Sequence, residues 1–238
     1  MATLFISDLH LSQERPEITQ LFLHFLQGPA REAEALYILG DLFEVWLGDD
    51  MVLPDYQAAI TELKNLSQTV PLYIMHGNRD FLMRKDFETM TGCQLLEDEV
   101  VIDLYGIPTL LMHGDTLCTD DLAYQEFRSM VRNPQWQADL LDKTPEERLA
   151  LARKLRDISK TETKGKQQNI MDVNQSAVEQ AMQKHHVLQL IHGHTHRPAI
   201  HDFEMANQPA KRIVLADWYE TGSMLQCDNE SCQLQKIT

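Results

Sequence analysis

Five short polar segments, each directly after an apolar run, constrain the fold of this chain more than any other feature. They are Asp8-Leu9-His10, Gly40-Asp41, Gly77-Asn78-Arg79-Asp80, His113-Gly114-Asp115 and Gly193-His194-Thr195-His196. The apolar runs before them are typical of buried strands. In an α/β fold, ligands bind at the carboxyl ends of the strands. The pattern therefore predicts an α/β protein whose Asp, Asn and His side chains converge at one edge.

Seven side chains in these segments are candidate metal ligands. They are Asp8, His10, Asp41, Asn78, His113, His194 and His196. Seven ligands are too many for one ion but suit two ions that share a bridging carboxylate, an arrangement that hydrolyses phosphate esters. Asp41 stands alone after its strand and is the predicted bridge. Because the set contains no thiolate, it favours Mn²⁺, Fe or Zn²⁺ over Ca²⁺. For any single histidine, a hydrogen-bonded core residue is the simpler interpretation.

The spacing within two of these segments adds a geometric expectation. Asp8 and His10 are two residues apart, and the last segment repeats this spacing with two histidines. Side chains at positions i and i+2 of an extended chain lie on the same face. We therefore expect both members of each pair to point toward the metals.

Neighbouring polar residues have predicted supporting roles. Arg79 is a candidate clamp for a phosphate, with an ion pair to Asp80 as the alternative. Asp80 and Asp115 are expected to orient histidine ligands from outside. His76 and His192 lie just inside strand ends and are expected to form hydrogen bonds without binding metal.

Hydrophobic periodicity predicts strands that alternate with helices. Strands are predicted at 3–7, 35–39, 71–75, 100–104, 109–112, 187–191, 213–215, 223–226 and 232–235, and helices at 18–26, 58–66, 81–90 and 173–184. No strand pattern appears at about 120–166, which we predict to be a helical insertion within one domain spanning 1–238. The C-terminal hairpins are expected to form a second sheet.

Charge and apolar content exclude some classes of protein. The net charge of −15 disfavours binding to nucleic acid, and a nuclease with it. Residues 128–166 are nevertheless net positive, which indicates either a surface for anions or lipid headgroups or a solvated helix with internal ion pairs. No run of 18 apolar residues occurs, and the N-terminus lacks the pattern of a secretion signal. The four cysteines show no C-x-x-C spacing, so we expect no zinc ribbon and no disulfide framework, as in a reducing cytoplasm.

The ordered set of five segments resembles the calcineurin-like metallophosphoesterases, and the resemblance spans nearly the whole chain. It implies a four-layer α/β/β/α sandwich of two mixed sheets. The sequence around these segments, and the segment Ile170-Met171-Asp172-Val173-Asn174, resemble those of the family members that hydrolyse UDP-2,3-diacylglucosamine in lipid A synthesis. The implied products are UMP and 2,3-diacylglucosamine 1-phosphate, released by attack at the α-phosphorus.

The same resemblance implies roles for individual residues. One metal would be held by Asp8, His10, Asp41 and His196, and the other by Asp41, Asn78, His113 and His194, with Mn²⁺ as the usual ion. The implied catalytic residues are Asp41, Asn78, Arg79, His113 and His194. The implied substrate contacts are Asn78, Arg79, Asp121, Tyr124, Ser159, Thr163, Lys166 and His194.

The resemblance also implies where the enzyme works. The insertion becomes a lid over a groove for acyl chains, and its positive charge faces anionic headgroups. Leu140 and Leu141 either line that groove or pack as ordinary helix residues. The implied location is the cytoplasmic face of the bacterial inner membrane, bound peripherally. We expect a monomer.

Two other functions remain open on the sequence. The first is a phosphoesterase with the same metal ligands that acts on a nucleotide or another small phosphoester. The second is a binding module on an inactive phosphoesterase fold, which the presence of all seven ligands disfavours.

Overall fold

The computed structural model describes residues 2–163 and 172–237, with side chains described for 2–156 and 172–237. Its strands are β1 (Ala2–Ile6), β2 (Ala33–Leu39), β3 (Leu72–Met75), β4 (Gln94–Leu96), β5 (Glu99–Leu104), β6 (Ile107–Met112), β7 (Gln189–His192), β8 (Ala199–Met205), β9 (Gln208–Val214), β10 (Gly222–Cys227) and β11 (Cys232–Ile237). Its helices are α1 (Pro16–Gln27), α2 (Gln57–Leu66), α3 (Lys85–Thr91), α4 (Leu122–Val131), α5 (Pro134–Leu141), α6 (Pro145–Thr163) and α7 (Gln175–Lys184).

The strands form two mixed sheets. The six-stranded sheet has the order β11-β10-β1-β2-β3-β4, in which β1 to β4 are parallel and β10 and β11 are antiparallel to their neighbours. The five-stranded sheet has the order β5-β6-β7-β9-β8, with parallel pairing from β6 through β7 to β9 and an antiparallel strand at each edge. The parallel strands place the polar segments that follow β1, β2, β3, β6 and β7 at matching ends.

Three hydrophobic clusters separate four layers. Phe5 of β1 and Ile191 of β7 are buried between the two sheets. Phe22 of α1 is buried on the outer face of the first sheet, and Val178 of α7 is buried with Leu190 on the outer face of the second. Each fully buried large apolar side chain contributes about 1.5–3 kcal/mol. The α/β/β/α sandwich of two mixed sheets predicted from the sequence is confirmed.

Several element boundaries differ from the sequence prediction. Helix α3 begins at Lys85 instead of 81. Helix α7 begins at Gln175, because the Asn174 side chain accepts hydrogen bonds from the amides of Ser176 (2.9 Å) and Ala177 (3.3 Å) and caps the helix there. The strands β4 and β8 were not predicted, since both lie at sheet edges and carry little of the apolar alternation that marks a buried strand.

The C-terminal hairpins divide between the two sheets. The strand predicted at 213–215 lies in the second sheet as the end of β9, which pairs with the unpredicted β8, but the hairpin of β10 and β11 extends the first sheet next to β1. At its end, Cys227 and Cys232 face each other across the two strands and form a disulfide. The expectation of no disulfide is therefore wrong for this pair. The bond depends on the pairing of two strands, which the spacing of the cysteines in the sequence does not reveal.

The other two cysteines are buried thiols, and we expect them to be unreactive in the folded protein. Burial raises the pKa of Cys93 to about 11 and that of Cys118 to about 12. Because the thiolate is the reactive form, neither should be alkylated by iodoacetamide at pH 8. Mass mapping should find both labelled only after unfolding. Rapid labelling of either residue in the native protein would contradict the burial described here.

The described part of the insertion, residues 120–163, forms the helices α4, α5 and α6 without a strand, as predicted. Leu140 is only 6% exposed and belongs to the main core, and Leu141 and Trp136 pack against that core. These contacts favour ordinary helix packing for Leu140 over a position in an open lipid groove.

Four arginines of the insertion are engaged by the rest of the fold. Arg148 is buried and pairs with Asp50 at 2.6 Å while donating to the carbonyl of Leu47 at 3.1 Å. The others pair with acidic side chains as well, and they are Arg128, Arg132 and Arg156. The expectation that the positive charge of the insertion faces lipid headgroups is wrong for these four, because the acidic body neutralises them.

Within residues 2–163 and 172–237, no helix is both long enough and apolar enough to cross a membrane.

Candidate metal centre

The backbone of the ligand segments is left-handed at five of the seven candidate ligands. The φ angles are 55° at Asp8, 49° at His10, 51° at Asp41, 68° at His194 and 55° at His196. Non-glycine residues seldom adopt this conformation, and Asp and His are among those that tolerate it. Such conformations concentrate at functional sites. The expectation that these pairs lie on extended backbone is therefore wrong. The side chains are directed toward the site by sharp turns at these residues instead.

Two glycines allow these turns to pack together. A Cβ atom at Gly77 would collide with the carboxylate and backbone amide of Asp41, and one at Gly193 would collide with Ser7 and the carboxylate of Asp8. Glycine is the residue that fits where a neighbouring backbone or side chain comes this close, because it has no Cβ. The glycine in each segment is therefore required to bring a neighbouring carboxylate into place.

A first group of ligand atoms surrounds Asp8. Asp8, His10 and His196 each offer a ligand atom within 4.8 Å of the others. The Nε2 atom of His196 lies 3.4 Å from Asp8 Oδ1. The other carboxylate oxygen of Asp8 accepts hydrogen bonds from Ser7 Oγ (2.5 Å) and from the amide of His194 (2.9 Å). The carboxylate is thus held by one oxygen and presents the other to the group.

A second group forms around Asp41, which lies between two histidines. Its Oδ2 atom is 3.7 Å from His10 Nε2 and 3.8 Å from His113 Nε2. The Oδ1 atom of Asn78 lies 3.1 Å from His113 Nε2 and 3.0 Å from His194 Nδ1. Asp41, His113 and Asp8 also offer ligand atoms within 4.8 Å of one another. The structure therefore brings all seven predicted ligands together, with Asp41 between the two groups.

These atoms fit a bound cation by their burial, their bonding and their charge. Asp8 Oδ1 and both ring nitrogens of His10 are buried without a well-formed hydrogen bond. Buried polar atoms rarely remain unsatisfied unless a ligand completes them. Burial opposes ionisation of Asp8, but the close approach of His196 and the nearby imidazoles hold its pKa well below its usual range. Burial lowers the pKa of His194 to about 4, whereas hydrogen bonds to Asp217 and Asp8 outweigh burial and raise the pKa of His196 to about 10.

The histidines are oriented by groups other than those predicted. His113 donates from Nδ1 to the carbonyl of Leu39 at 2.8 Å. His10 Nδ1 lies 3.4 Å from Glu44, and His196 Nδ1 lies 3.2 Å from Asp217. A carboxylate or carbonyl at the outer nitrogen of a ligand histidine fixes its tautomer and orientation. The sequence analysis did not identify Asp217 or Glu44 as orienting groups. No motif surrounds Asp217, and the one local signal at Glu44 is its position three residues after Asp41.

Asp80 and Asp115, predicted to orient histidines, bind other groups. Asp80 accepts hydrogen bonds from the amides of Leu42 and Gly77, both at 2.8 Å. Asp115 accepts from the Tyr124 hydroxyl at 2.8 Å and pairs with Arg128 at 2.6 Å. The prediction for both aspartates is therefore wrong: Asp80 fixes the backbone of two ligand segments, and Asp115 fastens α4.

The role of Asp80 predicts a loss of stability on mutation. Asp80 is fully buried, so Asp80→Ala leaves the Leu42 and Gly77 amides without acceptors, and we expect the free energy of unfolding to fall by about 2–4 kcal/mol. Asp202→Ala, at an exposed site 3.9 Å from Lys211, is the matched control and should change it by less than about 0.5 kcal/mol. Urea unfolding monitored by circular dichroism measures both values. Equal stability of the two variants would contradict the buried role of Asp80.

His76 and His192 form hydrogen bonds, as predicted for non-ligands. His76 Nε2 lies 2.8 Å from the carbonyl of Met83. His192 is fully buried, with Nδ1 2.9 Å from the carbonyl of Gly193. Burial lowers the pKa of His192 to about 3, which keeps the ring neutral.

Arg79 is positioned by its backbone, whereas part of its side chain has no partner. The amide of Arg79 donates to Asp41 Oδ1 at 2.8 Å. Its Nε atom is buried without a hydrogen bond. No ion pair between Arg79 and Asp80 occurs among the described residues, and Asp80 is committed to backbone amides. The guanidinium therefore has a free donor beside the candidate metal centre.

The predicted substrate contacts are only partly described. Asn78 and His194 lie in the centre itself, and the ring of Tyr124 is 5.7 Å from the ring of His194. The side chain of Asp121 accepts from the amide of Tyr124 at 3.1 Å and caps α4. The side chains of Ser159, Thr163 and Lys166 lie outside the described residues.

The insertion contacts three of the ligand segments through arginines. Arg128 of α4 pairs with Asp115, two residues after His113. Arg132 donates to the carbonyl of Gly77, next to Asn78, at 3.0 Å. Arg156 of α6 pairs with Glu44 at 3.1 Å, three residues after Asp41. The insertion is thus fastened to the loops that carry the candidate ligands.

Comparison with known proteins agrees with this geometry. The family model of calcineurin-like phosphoesterases matches residues 1–198. A relative from Marinobacter nauticus, named UDP-2,3-diacylglucosamine hydrolase, is 51% identical over 221 residues, which cover 92% of this chain and 91% of the relative. Relatives of the same name from Serratia proteamaculans and Stenotrophomonas maltophilia are 51% and 49% identical, and the matches cover at least 95% of each chain. The protein belongs to the calcineurin-like phosphoesterase family.

Proposed function

We propose that this protein hydrolyses the diphosphate of UDP-2,3-diacylglucosamine at the α-phosphorus and releases UMP and 2,3-diacylglucosamine 1-phosphate, a step of lipid A biosynthesis. The observation that carries the proposal is the identity of about half of all residues, over nearly the full chain, to relatives named for this substrate. Convergence of the seven predicted ligands at the strand ends of the two sheets supports the chemistry.

We further propose that the centre holds two Mn²⁺ ions. Asp8, His10 and His196 would hold one, and Asn78, His113 and His194 the other, with Asp41 shared between them. When bound, such ions lower the pKa of water and offset the negative charge of the phosphates. Carboxylate, amide and imidazole donors without thiolate suit Mn²⁺.

The residues around the centre supply binding and orientation. The Arg79 guanidinium, with its unpartnered Nε, would donate to phosphate oxygens and stabilise the charge that grows on them during the reaction. Asn78 and His194 would contact the phosphates from the metal side. Asp121, Tyr124, Ser159, Thr163 and Lys166 would contact other parts of the substrate, by resemblance to the family.

The position of the insertion suggests how the lipid reaches the centre. We propose that α4, α5 and α6 cover the substrate as a lid over one domain and that the protein acts as a monomer on the cytoplasmic face of the inner membrane.

Hydrolysis of UDP-2,3-diacylglucosamine in detergent and H₂¹⁸O tests both the substrate and the bond. Attack at the α-phosphorus places one ¹⁸O atom in UMP and none in the lipid product. We expect Mn²⁺-dependent release of both products with the label in UMP. Label in 2,3-diacylglucosamine 1-phosphate would contradict the site of attack. Turnover of a generic phosphodiester without cleavage of this substrate would support the alternative small-phosphoester hydrolase and overturn the proposed substrate.

A further inference from the structure

Glu44 lies between a candidate metal ligand and the insertion. Its Oε2 atom is 3.4 Å from Nδ1 of His10, and its Oε1 atom is 3.1 Å from Nε of Arg156 on α6. The side chain is only 14% exposed, and its amide donates to the carbonyl of Leu11 at 3.0 Å. The two oxygens of one carboxylate therefore face two different parts of the fold.

The orientation of His10 depends on what lies at its outer nitrogen. Its Nε2 atom points toward Asp41, at 3.7 Å from Oδ2. A carboxylate beside Nδ1 favours a proton on that nitrogen and leaves the lone pair of Nε2 for a metal. Glu44 is the carboxylate in that position.

Arg156 forms an ion pair with Glu44, and the positive charge of Arg79 also acts on this carboxylate. Arg156 reaches Glu44 with Nε and Glu14 with a terminal nitrogen at 3.2 Å. The Glu14 side chain is 71% exposed, so water screens that contact. The ion pair with Glu44 is the less exposed of the two contacts, so water screens it less.

We propose that Glu44 is a positioning residue that orients His10 for metal binding, and that Arg156 keeps Glu44 in place. The insertion then contributes to metal affinity although no candidate ligand lies in it. This inference rests on the metal centre of the proposed function. It adds a role for two residues that are not themselves candidate metal ligands.

Mn²⁺ binding to the purified full-length protein, followed by electron paramagnetic resonance without substrate, tests this role. Replacing a group that orients a metal ligand costs about 10–100-fold in metal affinity. We expect Glu44→Gln to weaken one of two Mn²⁺ sites by about that factor and Arg156→Met to weaken the same site by a smaller factor. Glu14→Gln, which removes only the exposed contact of Arg156, is the matched control and should leave both sites unchanged.

Two readouts separate positioning from a general loss of structure. The affinity of the second Mn²⁺ site and the melting temperature of the metal-free protein should stay near the wild-type values in Arg156→Met. Wild-type affinity at both sites in Glu44→Gln and Arg156→Met would overturn the inference. The Mn²⁺ affinities are measured without substrate, so they test the role of Glu44 and Arg156 independently of the reaction. Failure of the wild-type protein to cleave UDP-2,3-diacylglucosamine would overturn the proposed substrate but not this role.

Discussion

Replacing Asp41 by alanine is expected to lower kcat/KM by at least about 10³-fold while the protein stays folded. Asp41 is buried, its Oδ2 lies between His10 and His113, and its Oδ1 accepts the amide of Arg79. The substitution removes the carboxylate proposed to be shared by both metals and the anchor of the arginine that would bind phosphate. Steady-state hydrolysis of UDP-2,3-diacylglucosamine at saturating Mn²⁺ measures the loss.

The control for this variant is Asp202→Ala, which also removes one carboxylate but at an exposed site. It should retain wild-type kcat/KM. Circular dichroism and the melting temperature show whether Asp41→Ala is folded. Near-normal activity of folded Asp41→Ala would exclude Asp41 as the bridge.

Replacing Arg79 by alanine is expected to cost about 2–4 kcal/mol of transition-state stabilisation, the range for removal of one preorganised donor. This corresponds to a loss of about 30- to 900-fold in kcat/KM. The guanidinium has a buried, unpartnered Nε beside the centre, so its removal leaves no internal salt bridge broken among the described residues. The effect should therefore appear in kcat/KM and hardly at all in stability.

Two comparisons sharpen the test of Arg79. Arg79→Lys keeps the charge but loses the planar fork, so we expect an intermediate loss. Arg84→Ala removes an exposed arginine whose side chain hydrogen-bonds, within the described part of the chain, to Gln137 at 3.4 Å, and it should have little effect on kcat/KM. Equal kcat/KM for Arg79→Ala and Arg84→Ala would rule out a phosphate contact by Arg79.

The sequence predicted the positions of the candidate ligands because apolar runs and the residue types that follow them are local signals. The run before Asp8 becomes β1, the run before Asp41 becomes β2, and parallel pairing brings both residues to one edge. The same logic placed His113 after β6 and His194 after β7. Strand ends are thus readable from composition and order alone.

The groups that orient those ligands could not be predicted in this way. Glu44 and Asp217 act through the outer nitrogens of His10 and His196, and their positions depend on turns that local spacing does not reveal. The Asp8 carboxylate likewise lies in a space that Gly193, 185 residues away in the sequence, leaves open by having no Cβ.

Long-range pairing also decided features of the fold that pattern reasoning assigned wrongly. The apolar alternation of β10 and β11 would suit either sheet. What places this hairpin next to β1 is its long-range pairing, for example of Leu225 with Phe5. For the arginines of the insertion, the sequence left open a surface for anions and a helix with internal ion pairs, because their actual acidic partners, such as Asp50 for Arg148, lie far away in the sequence.

Seven side chains at matching strand ends of the two sheets are proposed to hold two metal ions, with Asp41 between them. Anomalous scattering at the manganese edge from crystals grown with Mn²⁺ tests this proposal most directly. We predict two peaks about 3.5–4 Å apart, one beside Asp8, His10 and His196 and the other beside Asn78, His113 and His194, with Asp41 contacting both. A single peak, or two peaks that do not share Asp41, would contradict the account.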